Sequence, residues 1–173
     1  MKTLVTYVSN TGNTKKVADA IFEVLPAEKE SKEIGEVADL EGYDLTFIGF
    51  PIIAFGPNPA AREFIEKNAG GKKVALFITH AAPEDHEDVQ GWLSACRELV
   101  AEDDLVGMFD CQGQLDPNVA EMLVKSDRED LRSFGEQGPS TLGQPDESRL
   151  QRAREFARKV LEEFHGTKAT GSA

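Results

Sequence analysis

The sequence contains little cysteine and no long apolar run. Cys96 and Cys111 are the only two cysteines among 173 residues, and neither belongs to a C-x-x-C pair. Two cysteines are too few for a disulfide framework or for a metal site built from thiolates. We therefore expect a reducing compartment. No stretch approaches the roughly 18 consecutive apolar residues of a membrane-spanning helix, and Met1 to Val8 lack the pattern of a secretory leader. We expect a cytoplasmic protein without a metal site or a membrane partner.

Basic side chains are also scarce. The chain has 19 lysines and arginines against 31 aspartates and glutamates, for a net charge of −12. This balance argues against nucleic acid and anionic membrane surfaces as partners. A protein partner with a basic docking face is compatible with it, although solubility alone also explains an acidic surface.

Several motifs of nucleotide binding and catalysis are missing. No G-x-x-x-x-G-K-[ST] loop occurs, and no G-x-G-x-x-G follows the first apolar run, which argues against nucleoside triphosphates and dinucleotides. Without a G-x-S-x-G elbow or a cysteine in the first loop, a hydrolase is not favoured. The third predicted strand, counting a weak one near residues 32–34, ends at Gly49, Phe50 and Pro51 without the aspartate of a phosphate-accepting receiver domain. A metal site from Asp85, His86, Asp88 and His80 lacks a known ligand spacing.

Apolar runs and helical patterns alternate along the chain. Four apolar runs are typical of buried strands, namely Leu4 to Val8, Leu45 to Phe50, Val74 to Thr79 and Leu105 to Phe109. A weaker strand near residues 32–34 suits a sheet edge. Amphipathic helical patterns lie between them. This order predicts an α/β fold, a doubly wound parallel sheet of five strands with helices on both faces.

Residues 112–145 interrupt this alternation. One helix is expected there, with Val119, Met122, Leu123 and Phe134 loosely in phase, followed by a loop from Gly135 to Pro145. We interpret the segment as an insertion within a single domain of residues 1–166. The last helix is predicted from about Asp146 to Phe164, and residues 167–173 are expected to form a flexible tail.

The loop between the first strand and the first helix carries the clearest chemical signal. It consists of Ser9, Asn10, Thr11, Gly12, Asn13 and Thr14, and we call it the phosphate loop. Hydroxyls, amides, a glycine and a helix N-terminus can together bind a phosphate monoester at this point of a doubly wound sheet. The alternative is that Thr11 or Asn13 only caps the helix, but one cap needs one residue and all six here are of these types.

This loop, with Val5 to Val8 before it and Val17, Ala18 and Ile21 after it, resembles the FMN-phosphate signature of the flavodoxins. Thr6 departs from the apolar residue usual there. The resemblance implies strand order 2-1-3-4-5, bound FMN, and a monomeric electron carrier that passes single electrons between proteins without catalytic side chains of its own.

In flavodoxins two further loops hold the flavin ring. Here they are Pro51 to Pro59, the first ring loop, and Thr79 to Gly91, the second ring loop. The resemblance implies that the ring is bound by Pro51, Ile52, Ile53, Ala54, Phe55, Gly56, Thr79, His80 and Ala81. Phe55 is either a stacking residue or a core phenylalanine. Gly56 is expected nearest the flavin N5, although Pro57 restricts its backbone.

The second ring loop lacks the tyrosine that commonly covers the flavin. His80 either lies beside the ring as an imidazolium or is a loop histidine bonded to backbone. Trp92 shares a helix face with Leu93 and Cys96 and is assigned to the core.

Two alternative functions stay open. The unusual second ring loop and the insertion are compatible with an FMN-dependent reductase that takes hydride from NAD(P)H and reduces a quinone or another small acceptor. A flavodoxin-shaped scaffold without flavin is the third possibility.

Overall fold

The computed structural model describes the backbone of residues 1–170 and the side chains of residues 1–166. The strands are β1 Thr3–Tyr7, β2 Lys29–Glu33, β3 Leu45–Ile53, β4 Gly56–Pro57, β5 Val74–His80 and β6 Leu105–Gln112. The helices are α1 Asn13–Val24, α2 Pro59–Asn68, α3 Val89–Arg97, α4 Pro117–Val124, α5 Glu129–Glu136 and α6 Glu147–Thr170. The predicted alternation of strands and helices is confirmed.

The main sheet is parallel, with the order β2-β1-β3-β5-β6. The two-residue strand β4 pairs antiparallel with the end of β3 and lies off this path. With β4 set aside, the order is the predicted 2-1-3-4-5. The polar strand β2 lies at the edge, as its weak pattern indicated, because an edge strand does not need two apolar faces.

The core has two layers, one on each face of the sheet. On one face, Ile48 and Phe50 of β3 pack with apolar side chains of α2 and α3. On the other face, Phe47 of β3 packs with apolar side chains of α1 and α6. Successive side chains of a strand point to opposite faces, so a continuous apolar run fills both layers.

The segment 112–145 differs from the prediction of one helix and a loop. It contains two helices, α4 and α5, followed by a 3₁₀ turn over Gly138–Thr141. Asp116 starts α4 by accepting hydrogen bonds from the amides of Asn118 and Val119, with Pro117 at the first helical position. The helix α5 begins with Glu129 and Asp130, two acidic residues that suit a helix N-terminus. The two start signals each cover only a few residues, so the apolar pattern of the whole segment predicted one helix where there are two.

The last element of the described chain is α6, which is longer than the predicted helix and extends through Thr170. The predicted flexible tail, residues 167–173, stays a prediction, since side chains beyond 166 and residues 171–173 lie outside the described part of the chain. Within residues 1–170, no helix is both long enough and apolar enough to cross a membrane.

Candidate functional site

A cavity of about 490 Å³ lies at the end of the sheet where β1, β3 and β5 finish. Its volume is within the range of small-molecule sites. The structure brings together three segments that the sequence had singled out. Residues of the phosphate loop and of both ring loops line the cavity, namely Asn10, Thr11, Asn13, Thr14, Pro51, Ile52, Ile53, Ala54, Phe55, Thr79, His80 and Ala81.

Within the phosphate loop, Gly12 occupies the N-cap position of α1. Its φ of +89° lies in the left-handed region, which glycine adopts without steric cost. Gly12 has no side chain with which to cap the helix, so the capping role considered for Thr11 or Asn13 is not what the structure shows. Ser9 Oγ accepts the amide of Lys15 at 3.2 Å, and Asn10 and Thr11 are exposed. The positive end of α1 therefore faces the cavity with a short, polar loop around it.

Two side chains of the phosphate loop are engaged within the protein. Thr14 Oγ1 lies 2.8 Å from Thr79 Oγ1 in a buried hydrogen bond. Asn13 Nδ2 donates to the carbonyl of Gln114 at 2.8 Å. These bonds tie the phosphate loop to the end of β5 and to the segment after β6. Thr11 and Asn10 are thus the side chains of this loop that are most free to meet a ligand.

Three predicted residues, Ser9, Gly12 and Gly56, do not line the cavity. Ser9 and Gly12 act on the helix start next to it. Gly56 lies in β4, where it pairs with Ile53. The left-handed residues of the first ring loop are instead Ala54, with φ +48°, and Phe55, with φ +67°.

Ala54 and Phe55 form the two-residue turn between β3 and β4. Two positive φ angles in a two-residue hairpin loop define a type I′ turn, which ordinarily carries asparagine and glycine. The Phe55 side chain is half exposed, and its ring centroid lies 5.7 Å from that of Trp92. Phe55 is therefore not a core residue. Trp92, assigned to the core from its helical spacing, is only partly buried and lines the cavity as well.

His80 ends β5, and its side chain is 1% exposed. Its Nδ1 lies 2.9 Å from the Ala82 carbonyl and its Nε2 lies 3.1 Å from Asp110 Oδ2. A carbonyl can only accept, so Nδ1 carries a proton, and the contact to Asp110 requires one more proton on either partner. His80 is thus bonded to backbone, as one of its two interpretations held, and it pairs with Asp110, whose side chain is partly exposed. Its place beside the ring stays a prediction.

Glu84 fastens the second ring loop to α6. Its Oε1 accepts from Arg149 Nε at 2.8 Å, from Arg152 Nη2 at 2.7 Å and from the amide of Gln112 at 3.2 Å. Partial burial by itself would raise the pKa of the Glu84 carboxyl, but the Gln112 amide and the two guanidinium groups outweigh it and lower that pKa. The carboxylate is a positioning group that holds the loop.

The two cysteines are not reactive groups. Burial raises the pKa of the thiols of Cys96 and Cys111 to about 12. A thiol with such a pKa stays protonated at neutral pH and is a poor nucleophile and a poor metal ligand. Among the side chains of residues 1–166, no group of three or more His, Cys, Asp or Glu residues converges as a metal site would require.

Nine residues of the cavity wall were missed by sequence reasoning about this site. They are Trp92, Gln114, Leu115, Asp116, Val119, Met122, Leu123, Leu131 and Phe134. Most belong to α4 and α5 or to the chain just before them. The available signal was the apolar phasing of Val119, Met122 and Leu123, which would have indicated a surface in need of a partner.

Comparisons with known proteins agree with this geometry. A family model described as a flavodoxin domain matches residues 4–158. The flavodoxin-like domain-containing protein BilS of Clostridioides difficile (strain CD3) is 32% identical over 171 residues, which cover 93% of this chain and 97% of that protein.

Solved structures share the fold. Oxidised flavodoxin 2 from Bacillus cereus superposes with a TM-score of 0.60 at 21% identity, covering 94% of this chain and 99% of the other. A flavodoxin from the domain Archaea gives a TM-score of 0.58 at 16% identity, covering 95% and 99%. The family match over most of the chain, with the fold and the cavity at the strand ends, shows that the chain belongs to the flavodoxin domain family.

Proposed function

We propose that this protein binds FMN in the cavity and carries single electrons between partner proteins. The observation that supports this most is the N-terminus of α1, where the N-cap residue Gly12 has no side chain and Asn13 and Thr14 line a cavity whose remaining wall is mainly apolar. FMN has the same division, with a phosphate at one end and a planar aromatic ring at the other. When bound, FMN supplies the one-electron chemistry that amino acid side chains lack.

The residues present fit this ligand. Thr11 and Asn10 offer a hydroxyl and an amide to the phosphate, and the amides at the start of α1 offer the helix dipole. Phe55, Trp92 and the Pro51 to Ile53 segment offer apolar and aromatic surface to the ring. Both thiols are buried away from the cavity wall, so neither is positioned for covalent chemistry on a ligand there. These features support FMN binding, which a carrier and an FMN-dependent reductase share.

The proposed setting is a monomer in the cytoplasm. The net charge of −12 favours partner proteins with a basic docking face. The two free, buried cysteines are compatible with a reducing compartment. Association with such a partner should weaken as salt is added, because exposed charges are screened beyond about 10 Å at 0.1 M ionic strength.

Titration of the protein with FMN and with riboflavin tests this proposal. We expect one FMN per chain and weaker binding of riboflavin, which lacks the phosphate. Thr11→Ala should weaken FMN binding by about ten- to a hundredfold, the worth of one charge-assisted hydrogen bond, and should leave riboflavin binding unchanged. Thr11→Ser keeps the hydroxyl and serves as the control. Equal affinity for the two flavins would overturn the assignment.

A second measurement separates a carrier from a reductase. The FMN-loaded protein is mixed with NADH or NADPH in the absence of a partner protein, and the loss of absorbance at 340 nm is followed. A carrier should oxidise the nicotinamide negligibly. Steady oxidation that increases when a quinone is added would assign the protein to the FMN-dependent reductases instead.

A further inference from the structure

The helices α4 and α5, which we call the helical pair, carry an apolar surface that the rest of the described chain covers only in part. No residue of α4 is buried, and Gly135 is the one buried residue of α5. Nevertheless Val119, Met122, Leu123, Leu131 and Phe134 all line the cavity. Val119 is 39% exposed and Met122 is 63% exposed. Exposed apolar surface that faces a cavity is a usual sign of a ligand contact.

The helical pair is held together as one unit. A Cβ placed on Gly135 would lie 2.8 Å from the carbonyl oxygen of Ala120 and 2.8 Å from the amide nitrogen of Val124. The backbones of α4 and α5 therefore approach as closely as a glycine allows. Because the two helices are so close, the five apolar side chains that line the cavity belong to one packed unit, and we call them the wall.

The base of the helical pair is joined to the phosphate loop. Asn13 Nδ2 donates to the carbonyl of Gln114, two residues before the N-cap residue of α4. Gly113 leaves room for the Asn13 side chain, since a Cβ there would lie 2.7 Å from Asn13 Nδ2. On the other side, Leu115 N donates to Thr141 Oγ1 at 2.9 Å. A ligand held at its polar end by the phosphate loop thus has its apolar part in the compartment that this wall bounds.

We propose that the helical pair is a binding wall for the flavin ring, in which Val119, Met122 and Phe134 contact the isoalloxazine. This inference rests on the proposed function, since it assigns the apolar part of the same ligand. Contact with a planar aromatic ring would remove the exposed parts of Val119 and Met122 from water, which favours binding. The bound ring would also stabilise the helical pair, because a ligand that binds the folded form of a segment shifts its opening equilibrium.

A matched pair of variants tests the wall. Val119→Asp and Val124→Asp introduce the same charge into the same helix at sites of similar exposure, 39% and 42%, but only Val119 lines the cavity. Val119→Asp should weaken the binding of FMN about tenfold or more, because a carboxylate would be buried against the ring. It should weaken riboflavin binding by the same factor, since both flavins have the ring. Val124→Asp should change neither affinity by more than about twofold.

Hydrogen exchange on the unmutated protein gives an independent readout. FMN and riboflavin, each at saturating concentration, should slow exchange of the amides of residues 117–136, whereas inorganic phosphate alone should leave them unchanged. Equal affinities of the two aspartate variants for FMN, or unchanged exchange of residues 117–136 on FMN binding, would overturn the proposal that the helical pair contacts the ring. The proposed function would stay in place. Failure of the unmutated protein to bind FMN would overturn the proposed function itself.

Discussion

At the residue scale, the turn at Ala54 and Phe55 is the most unusual backbone feature of the site. Both residues have positive φ, which costs roughly 1 to 2 kcal/mol for each side chain other than glycine, asparagine or aspartate. Ala54→Asn puts the residue preferred by a type I′ turn at its first central position. We expect the free energy of unfolding to rise by about 0.5 to 1 kcal/mol in urea denaturation. The m-value, which is the slope of that free energy against urea concentration, should stay unchanged. A decrease would contradict a strained type I′ turn.

Glu84 provides a second prediction at this scale. Its partly buried carboxylate accepts three hydrogen bonds, two of them from arginines. Glu84→Gln should lower the free energy of unfolding at pH 7 by about 1 to 2 kcal/mol, because charge-assisted bonds are weakened and the arginines lose their counter-ion. Glu121→Gln is the control, since the pair of Glu121 with Lys125 is 70% exposed on both sides and should contribute little.

The pH dependence of the Glu84 contribution follows from the sign of its pKa shift. The pKa of Glu84 is lowered in the folded protein relative to its ordinary value of 4.5. Its contribution is therefore fully present above about pH 4.5 and is lost as the pH falls through the lowered folded value. Denaturation at several pH values should show a gap between the unmutated protein and Glu84→Gln that is constant at higher pH and narrows below about pH 4.5. A gap that widens in acid would show the opposite shift.

At the scale of elements, the contact between α4 and α5 depends on Gly135. Gly135→Ala places a methyl group 2.8 Å from backbone atoms of α4, so the helices must separate. We expect the opening free energy of the helical pair, measured from amide exchange of residues 117–136, to fall by about 1 to 3 kcal/mol.

Gly91 in α3 is the matched control for this substitution. A Cβ at Gly91 meets nothing within 4 Å, so Gly91→Ala should raise the free energy of unfolding by about 0.5 to 1 kcal/mol through helix propensity alone. If Gly135→Ala stabilises the protein as Gly91→Ala does, then α4 and α5 are not in close contact.

At the scale of the whole molecule, the net charge of −12 should make stability depend on salt. Repulsion among exposed carboxylates destabilises the compact state and is screened by ions. Raising sodium chloride from about 0.02 to 0.2 M should raise the midpoint of thermal unfolding of the flavin-free protein by about 2 to 5 °C. Sulfate and phosphate are avoided because they could bind at the start of α1. A lower midpoint in salt would mean that attractive ion pairs outweigh the repulsion.

The fold was largely predictable because its signals are local. Apolar runs such as Val74 to Thr79 need two covered faces, and that requirement alone indicates a parallel sheet between helices. The position of the phosphate loop between β1 and α1 was predictable for the same reason, since its residue types are visible within six residues, and its role in binding phosphate stays a prediction. The division of the segment 112–145 into two helices was missed because its start signals at Asp116 and Glu129 are short.

The sequence by itself determined the strand order that the family resemblance implied, the polar loop at the start of α1 and the acidic character of the surface. Only the tertiary structure decided which distant residues meet. Packing brings Val119 and Phe134 into the same cavity as Thr11, directs the His80 ring to Asp110, and sets Phe77 over Gly49, where a Cβ would lie 1.9 Å from the ring. Such contacts join residues far apart in the chain. They depend on how layers and helices fit in three dimensions, which no local periodicity encodes.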